Sequence, residues 1–201
     1  MIIRAPHFVG EEFIKTFLQE NMPWLKSKIF EQQQGKNAHF DFTHGSEVFF
    51  FGEKVKLDIQ YGRKSKVLIK SVLNKKELDE DKPTYLSVIL NERLVGKTDD
   101  KATLAKYVKK QLEAFFKIQA HHYIIDRVTE LSTETSLIPN QIKIRQYKAR
   151  WGSCNNRGDV SFNYLLAMTP RWVIDYVIIH ELCHLQHLNH SKYFWLLVSK
   201  Y

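Results

Sequence analysis

Residues 180–190 read His-Glu-Leu-Cys-His-Leu-Gln-His-Leu-Asn-His, which puts four of the chain's nine histidines within eleven residues. The run Val177-Ile178-Ile179 leads into the cluster, and Leu182 lies inside it. Burying imidazoles among such neighbours costs on the order of several kcal/mol when their ring nitrogens lack partners. A metal ion removes that cost, and the spacing suits one. His180 and His184 are four residues apart, and on a helix that leaves them only ~40° out of register on one face. Zinc accepts neutral imidazole nitrogen at ~2.0–2.1 Å, so two such ligands on one helix make half a site.

Glu181 falls on the flank of the pair, poorly aimed as a ligand but well placed as a general base for water activated by the ion. The candidates for third ligand are His187 and His190. On an unbroken helix His187 would lie ~10.5 Å along the axis from His180, too far for easy convergence. Asn189 tolerates the left-handed conformation that ends many helices, so a stop there would let the chain return and bring in His190. His190 is therefore the favoured third ligand and His187 the alternative. A water would take the fourth position, making an open catalytic site with one zinc per chain. Cys183 points ~80° from the mean ligand direction and reads as a small buried hydrophobe.

The helix carrying this motif has a clear start. Thr169 is placed to cap it and Pro170 to fill its first position, so a helix is expected from Pro170 to about Leu188. Ahead of it, Ile142 and Ile144 alternate with Lys143 and Arg145, and Val160, Phe162 and Tyr164 alternate with Ser161 and Asn163. With "CNNRGD" between them, these two strands read as a hairpin or a wide β-turn-β. Further upstream, "KTDDKATLAKYVKKQLEAFFKIQAHHYIIDRVTELSTET" carries a stripe through Leu104, Val108, Leu112, Phe115, Phe116, Ala120, Tyr123, Ile124, Val128 and Leu131. That is a long amphipathic helix, capped by Thr98 or Asp99. Alternation at Val55, Leu57 and Ile59, then at Val67 and Ile69, with turns at Gly52 and Gly62, predicts two or three strands of a meander. "PTYLSVILNERLVG" predicts one more strand, closing at Gly96. Phe13, Ile14, Phe17, Leu18, Trp24, Leu25 and Ile29 have helical spacing. Composition shifts near residues 96–100, so the chain is read as a helix plus β-rich region over 1–97 and a core over 98–201.

Of the 201 residues, 44% are hydrophobic and 26% charged, which is ordinary globular composition. No apolar run reaches the ~18 residues that span a bilayer, and "MIIRAPHFVGEEF" lacks the pattern of a signal peptide. With only two cysteines, Cys154 and Cys183, a disulfide framework is excluded and a cytoplasmic location with no membrane partner is expected. The net charge of +8 allows a nucleotide or nucleic-acid partner, yet no RNA-recognition signature or zinc-finger spacing occurs.

The segment "KARWGSCNNRGDVSFNYLLAMTPRWVIDYVIIHELCHLQHLNHSKYFW", Lys148–Trp195, closely resembles the YgjP-like metallopeptidase family. This is a zincin-like group related to the WLM and SprT-like domains. The resemblance rests on the "RWGSC" turn, the following strand, the "VIDYVIIHEL" helix and the "HSKYFW" tail, and it extends more loosely over the rest. It implies metal ligands at His180, His184 and His190 and a general base at Glu181. It also implies an α+β fold: a backing helix (Thr103–Ser132), a small sheet from Ile142–Lys148 and Val160–Leu166 with a lesser edge strand, and an active-site helix. The resemblance implies a further hairpin before "MIIRAP" and a last helix after "FWLLVSKY", so by the family pattern the sequence is expected to be short at both ends.

In "RWGSC", Gly152 and Ser153 fit a tight turn, Trp151 reads as a packing anchor, and Arg150 can bind a carboxylate or phosphate. Arg150 and Asn163 are candidate substrate-binding residues, and the strand Asp159–Leu166 is the candidate edge for an extended peptide. Tyr193, Phe194 and Trp195 read as core. The activity expected is a zinc-dependent metallopeptidase acting on a peptide or protein substrate. The alternative is a metal-dependent nucleotide phosphohydrolase of the nucleoside triphosphate pyrophosphatase type, favoured by the charge and by Arg150, Lys148 and Arg145. A nucleic-acid-associated protease is a third reading.

Overall fold

The computed structural model describes residues 41–70, 85–95 and 100–201, together with Glu12. The helix expected over Phe13–Ile29 lies outside the described residues. The chain divides into two units, residues 1–40 and 41–201, and the architecture below is that of the second.

Two small sheets and one long helix make up the frame. The first sheet contains β1 (Glu47–Phe50), β2 (Glu53–Gly62), β3 (Lys66–Lys70) and β4 (Tyr85–Asn91), in the order β1-β2-β4-β3. Sequence alternation predicted a meander, but β4 inserts between β2 and β3, parallel to β2 and antiparallel to β3. Hydrophobic burial decides the order. Leu86, Ser87, Val88 and Leu90 of β4 are all buried, so this strand needs cover on both faces and takes a central place. β3 carries Lys66 and Lys70 and goes to the edge, where charged side chains remain in water. Instead of continuing to Gly96, β4 gives way at Glu92 to a single helical turn, α1 (Glu92–Val95).

Helix α2 (Lys101–Thr135) backs both sheets. Asp100 caps it, one or two positions after the residues expected, accepting from the backbone N–H of Ala102 (3.1 Å) and Thr103 (3.0 Å). Eight positions of the predicted stripe are buried, Val108, Leu112, Phe115, Phe116, Ala120, Ile124, Val128 and Leu131, while Leu104 and Tyr123 are half-buried. Ser136, in the left-handed conformation, ends the helix.

The second sheet has the order β5-β7-β6, from β5 (Gln141–Arg145), β6 (Gly152–Cys154) and β7 (Asp159–Asn163). The hairpin is β6–β7, turning at Asn155, whose side-chain oxygen accepts from the N–H of Arg157 and Asp159. β5 runs parallel to β7, so the two strands read as a hairpin partnership are instead joined through the loop 146–151 and β6. Residues Tyr164–Met168 leave the strand and form a 3-10 turn that packs on α2.

Helix α3 (Arg171–Cys183) carries the motif. Pro170 stands at its N-cap, one place earlier than expected, and the Thr169 hydroxyl donates to the Leu166 carbonyl rather than capping α3. The β1–β2 hairpin braces this start: Phe51 N–H donates to Ala167 O at 2.7 Å, and a Cβ on Gly52 would come within 2.7–2.9 Å of Pro170. Arg127 of α2 grips α3 through both carboxylate oxygens of Asp175, at 3.1 and 2.9 Å. Helix α4 (Lys192–Val198) closes the chain. Among the described residues, no helix is long and apolar enough to cross a membrane.

Candidate metal centre

α3 stops at Cys183, about five residues short of the end expected. The stop does not use Asn189, whose φ is not positive. Instead the last turn tightens: Leu185 N–H bonds to Leu182 O, and Gln186 and His187 N–H both bond to Cys183 O. The chain then reverses over Leu188 and Asn189. Ser191 begins α4, accepting from Phe194 N–H at 3.5 Å, and Phe194 is fully buried.

That reversal brings His190 back to His180, with their Nε2 atoms 3.0 Å apart. His184 joins them: one ligand atom from each of the three histidines lies within 4.8 Å of the others. Two nitrogens bound to one zinc at tetrahedral angles stand ~3.3 Å apart. Phe194 forms an apolar floor beneath the group, its ring centroid 4.9, 4.5 and 4.8 Å from those of His180, His184 and His190. Trp195 stacks on His190 at 5.5 Å.

The donor chemistry fits a metal. Burial pushes His180 down to about 4 and also lowers His184, so both rings are neutral near pH 7, as ligands must be. His184 Nδ1 lies 2.9 Å from the His187 carbonyl. A carbonyl only accepts, so Nδ1 carries the proton and Nε2 keeps its lone pair free. His187 thus reaches the site through its backbone, while its ring lies against Tyr193.

Glu181 is 6% exposed, with its carboxyl pushed up to about 7 by burial and pulled back in part by the charge of Arg150. It faces the edge strand: a Cβ on Gly152 would meet its Oε1, Cγ and Cδ at 2.5–2.7 Å, so only glycine lets β6 lie this close. These groups share an open cleft of about 330 Å³, lined by Arg150, Gly152, Ser153, Cys154, Glu181, Leu188 and the three histidines. Burial and the nearby carboxylates of Glu181 and Asp159 push the Cys154 thiol up to about 11, away from thiolate character. Cys183 is fully buried and is not part of the lining.

Arg150 is in the cleft wall, whereas Asn163 is 3% exposed and lies beneath it. The Asn163 Nδ2 donates to the carbonyls of Tyr147 and Arg150, both at 3.1 Å, and its Oδ1 accepts from Leu165 N–H. Its side chain therefore fixes the Arg150 loop. The strand containing it, β7, is central, so the free edge facing the cleft is β6 and not the expected Asp159–Leu166. Trp151 is 49% exposed rather than an anchor, and of the three aromatics read as core only Phe194 is buried. Sequence reading missed the floor role of Phe194 and the wall formed by Gly152 and Cys154. The glycine in "RWGSC" was the available signal for that wall.

A family model for the YgjP-like metallopeptidase domain matches residues 1–201, the whole chain. No curated protein and no solved structure matches it. Two small sheets, a backing helix and a helix that carries His180 and Glu181 and is capped by His184 make a compact zincin-like α+β domain, and the chain belongs to the YgjP-like metallopeptidase family.

Proposed function

We propose that the chain is a zinc-dependent peptidase in which His180, His184 and His190 hold one zinc ion and Glu181 is the general base. The observation that carries this reading is the convergence of three imidazoles beside a buried carboxylate in one open cleft. When bound, zinc would supply Lewis acidity, polarising a substrate carbonyl and acidifying water. The remaining steps belong to the protein. Glu181 takes the proton from the attacking water and returns it to the departing amine, a role suited to a carboxyl whose affinity for protons has been raised by burial. Phe194 keeps water from beneath the imidazoles.

Substrate would bind along β6. Trp151 O accepts from Asn163 N–H, and Asn155 N–H donates to Asp159 O, so the pairing toward β7 uses residues 151, 153 and 155. Antiparallel alternation then turns the N–H and C=O of Gly152 and Cys154 toward the cleft, where an extended peptide can pair with them. In this reading residues 98–201 are the catalytic core and the β-rich part of 1–97 supports it, as the seating of Gly52 on Pro170 suggests. Free thiols at Cys154 and Cys183 suit a cytoplasmic setting.

The test is incubation of the zinc-loaded chain with an unfolded protein and, separately, with nucleoside triphosphates. Peptide cleavage that a chelator stops and zinc restores supports the proposal. Chelator-sensitive release of phosphate or pyrophosphate without peptide cleavage would move the same centre to the phosphohydrolase reading.

A further inference from the structure

We propose that the cleft selects peptides carrying a carboxylate on the C-terminal side of the cleaved bond, and that Arg150 is the selecting residue. This rests on the peptidase reading and names its substrate class.

Among the described residues, Arg150 is the one cation in the cleft wall, and its guanidinium has no carboxylate within ion-pair distance. Glu181 feels its charge without pairing with it. Exposed arginines are usually mobile, but here the main chain is fixed at two points and the guanidinium rests on a ring. The Arg150 carbonyl accepts from Asn163, the neighbouring Trp151 carbonyl accepts from Asn163 N–H at 2.8 Å, and the guanidinium lies over the Tyr147 ring at 5.4 Å. The residue is exposed and lines the cleft. A planar guanidinium held in this way matches a carboxylate in two-point geometry.

An antiparallel pairing of substrate with β6, the geometry β6 itself makes with β7, sets the direction of the substrate. Glu181 touches Gly152, which puts the reacting bond beside that residue. Arg150 lies two residues before Gly152, ~7 Å along the chain. A peptide pairing antiparallel to β6 runs from Cys154 toward Arg150, so the residues after the cleaved bond pass the guanidinium. The carboxylate is either an acidic side chain there or the end of the peptide itself.

The experiment uses the zinc-loaded chain with matched peptides having Glu or Gln at the first three positions after the cleaved bond, each with a free or an amidated C-terminus. The expected result is about a tenfold preference in kcat/KM for the carboxylate-bearing member, expressed mainly in KM. In Arg150→Ala the ratio should fall to near one, and in Arg150→Glu it should fall below one. Zinc content of each variant is measured alongside. Preference following Glu over Gln marks a side-chain carboxylate, and preference following free over amidated ends marks a terminal one. Cleavage with no carboxylate preference overturns the inference and leaves the peptidase reading intact. So does an Arg150→Ala loss that is equal on all peptides, which would make Arg150 a partner of Glu181. No cleavage of any peptide by zinc-loaded protein overturns the peptidase reading and this inference with it.

Discussion

The two walls of the cleft are built by different physics. The histidine wall comes from packing: α3 is pressed on α2, its carboxylate is 6% exposed, and the imidazoles rest on a fully buried Phe194. The facing wall is an exposed loop and a three-residue strand held by hydrogen bonds, with Asn163 securing the carbonyls of Tyr147, Arg150 and Trp151. Burial shifts the titratable groups of the first wall, and hydrogen bonding fixes the groups of the second, which in the proposed function would be the reactive and substrate-binding groups. Changes to the first wall should therefore remove activity, and changes to the second should redirect or weaken it.

The largest effect expected is at Glu181. Glu181→Gln keeps the shape but not the base, so turnover should drop by a factor on the order of 10²–10⁴ while zinc content is unchanged. Retained activity would detach the carboxylate from the chemistry. Gly152→Ala joins the walls, because its methyl would arrive 2.5–2.7 Å from Glu181. Zinc should stay and kcat should fall by up to about 10²-fold, the penalty for a misplacement of roughly 1 Å. An unchanged kcat would show that β6 has room to move.

Asp175→Ala removes the two-point grip of α2 on α3. The pair is about one-quarter exposed, so screening limits the loss to about 1–2 kcal/mol, read as a lower midpoint in denaturant unfolding. The smallest effect is at the Asp100 cap. Its hydrogen bond from the Thr103 hydroxyl, with those from the Ala102 and Thr103 N–H groups, lowers its pKa below 3.8. The folded value lies below the unfolded one, so the cap contributes fully above the unfolded pKa and is lost as pH falls through the folded value. Asp100→Ala should thus lower Tm at pH 7, and the difference should shrink as pH falls through the acid range. A gap that persists in acid would contradict the cap's charge dependence.

The contrast between the walls also marks what the sequence could reveal. His180, Glu181 and His184 are local, set by the helical period, and the stripe of α2 is equally local. The return of His190 toward His180 was legible from a reversal after α3, although the reversal begins at Cys183 through a tightened turn and not at Asn189. Pairing order was not legible. Alternation marks β2, β3, β5 and β7 as strands, but only the burial of both faces of β4 explains its insertion, and only the crossover through 146–151 makes β5 parallel to β7. The work of Asn163 is likewise invisible in one dimension, since its partners lie 13 and 16 residues away.

The central claim is the identity of the three ligands. Its most direct test is the metal content of the purified chain beside His190→Ala and His187→Ala, because the two residues differ in how they reach the site. His190 offers a ring nitrogen and His187 only its carbonyl. About one zinc per chain, kept in His187→Ala and lost in His190→Ala, is the result predicted. Zinc retained in His190→Ala, or no zinc taken up by the unaltered chain, would contradict it.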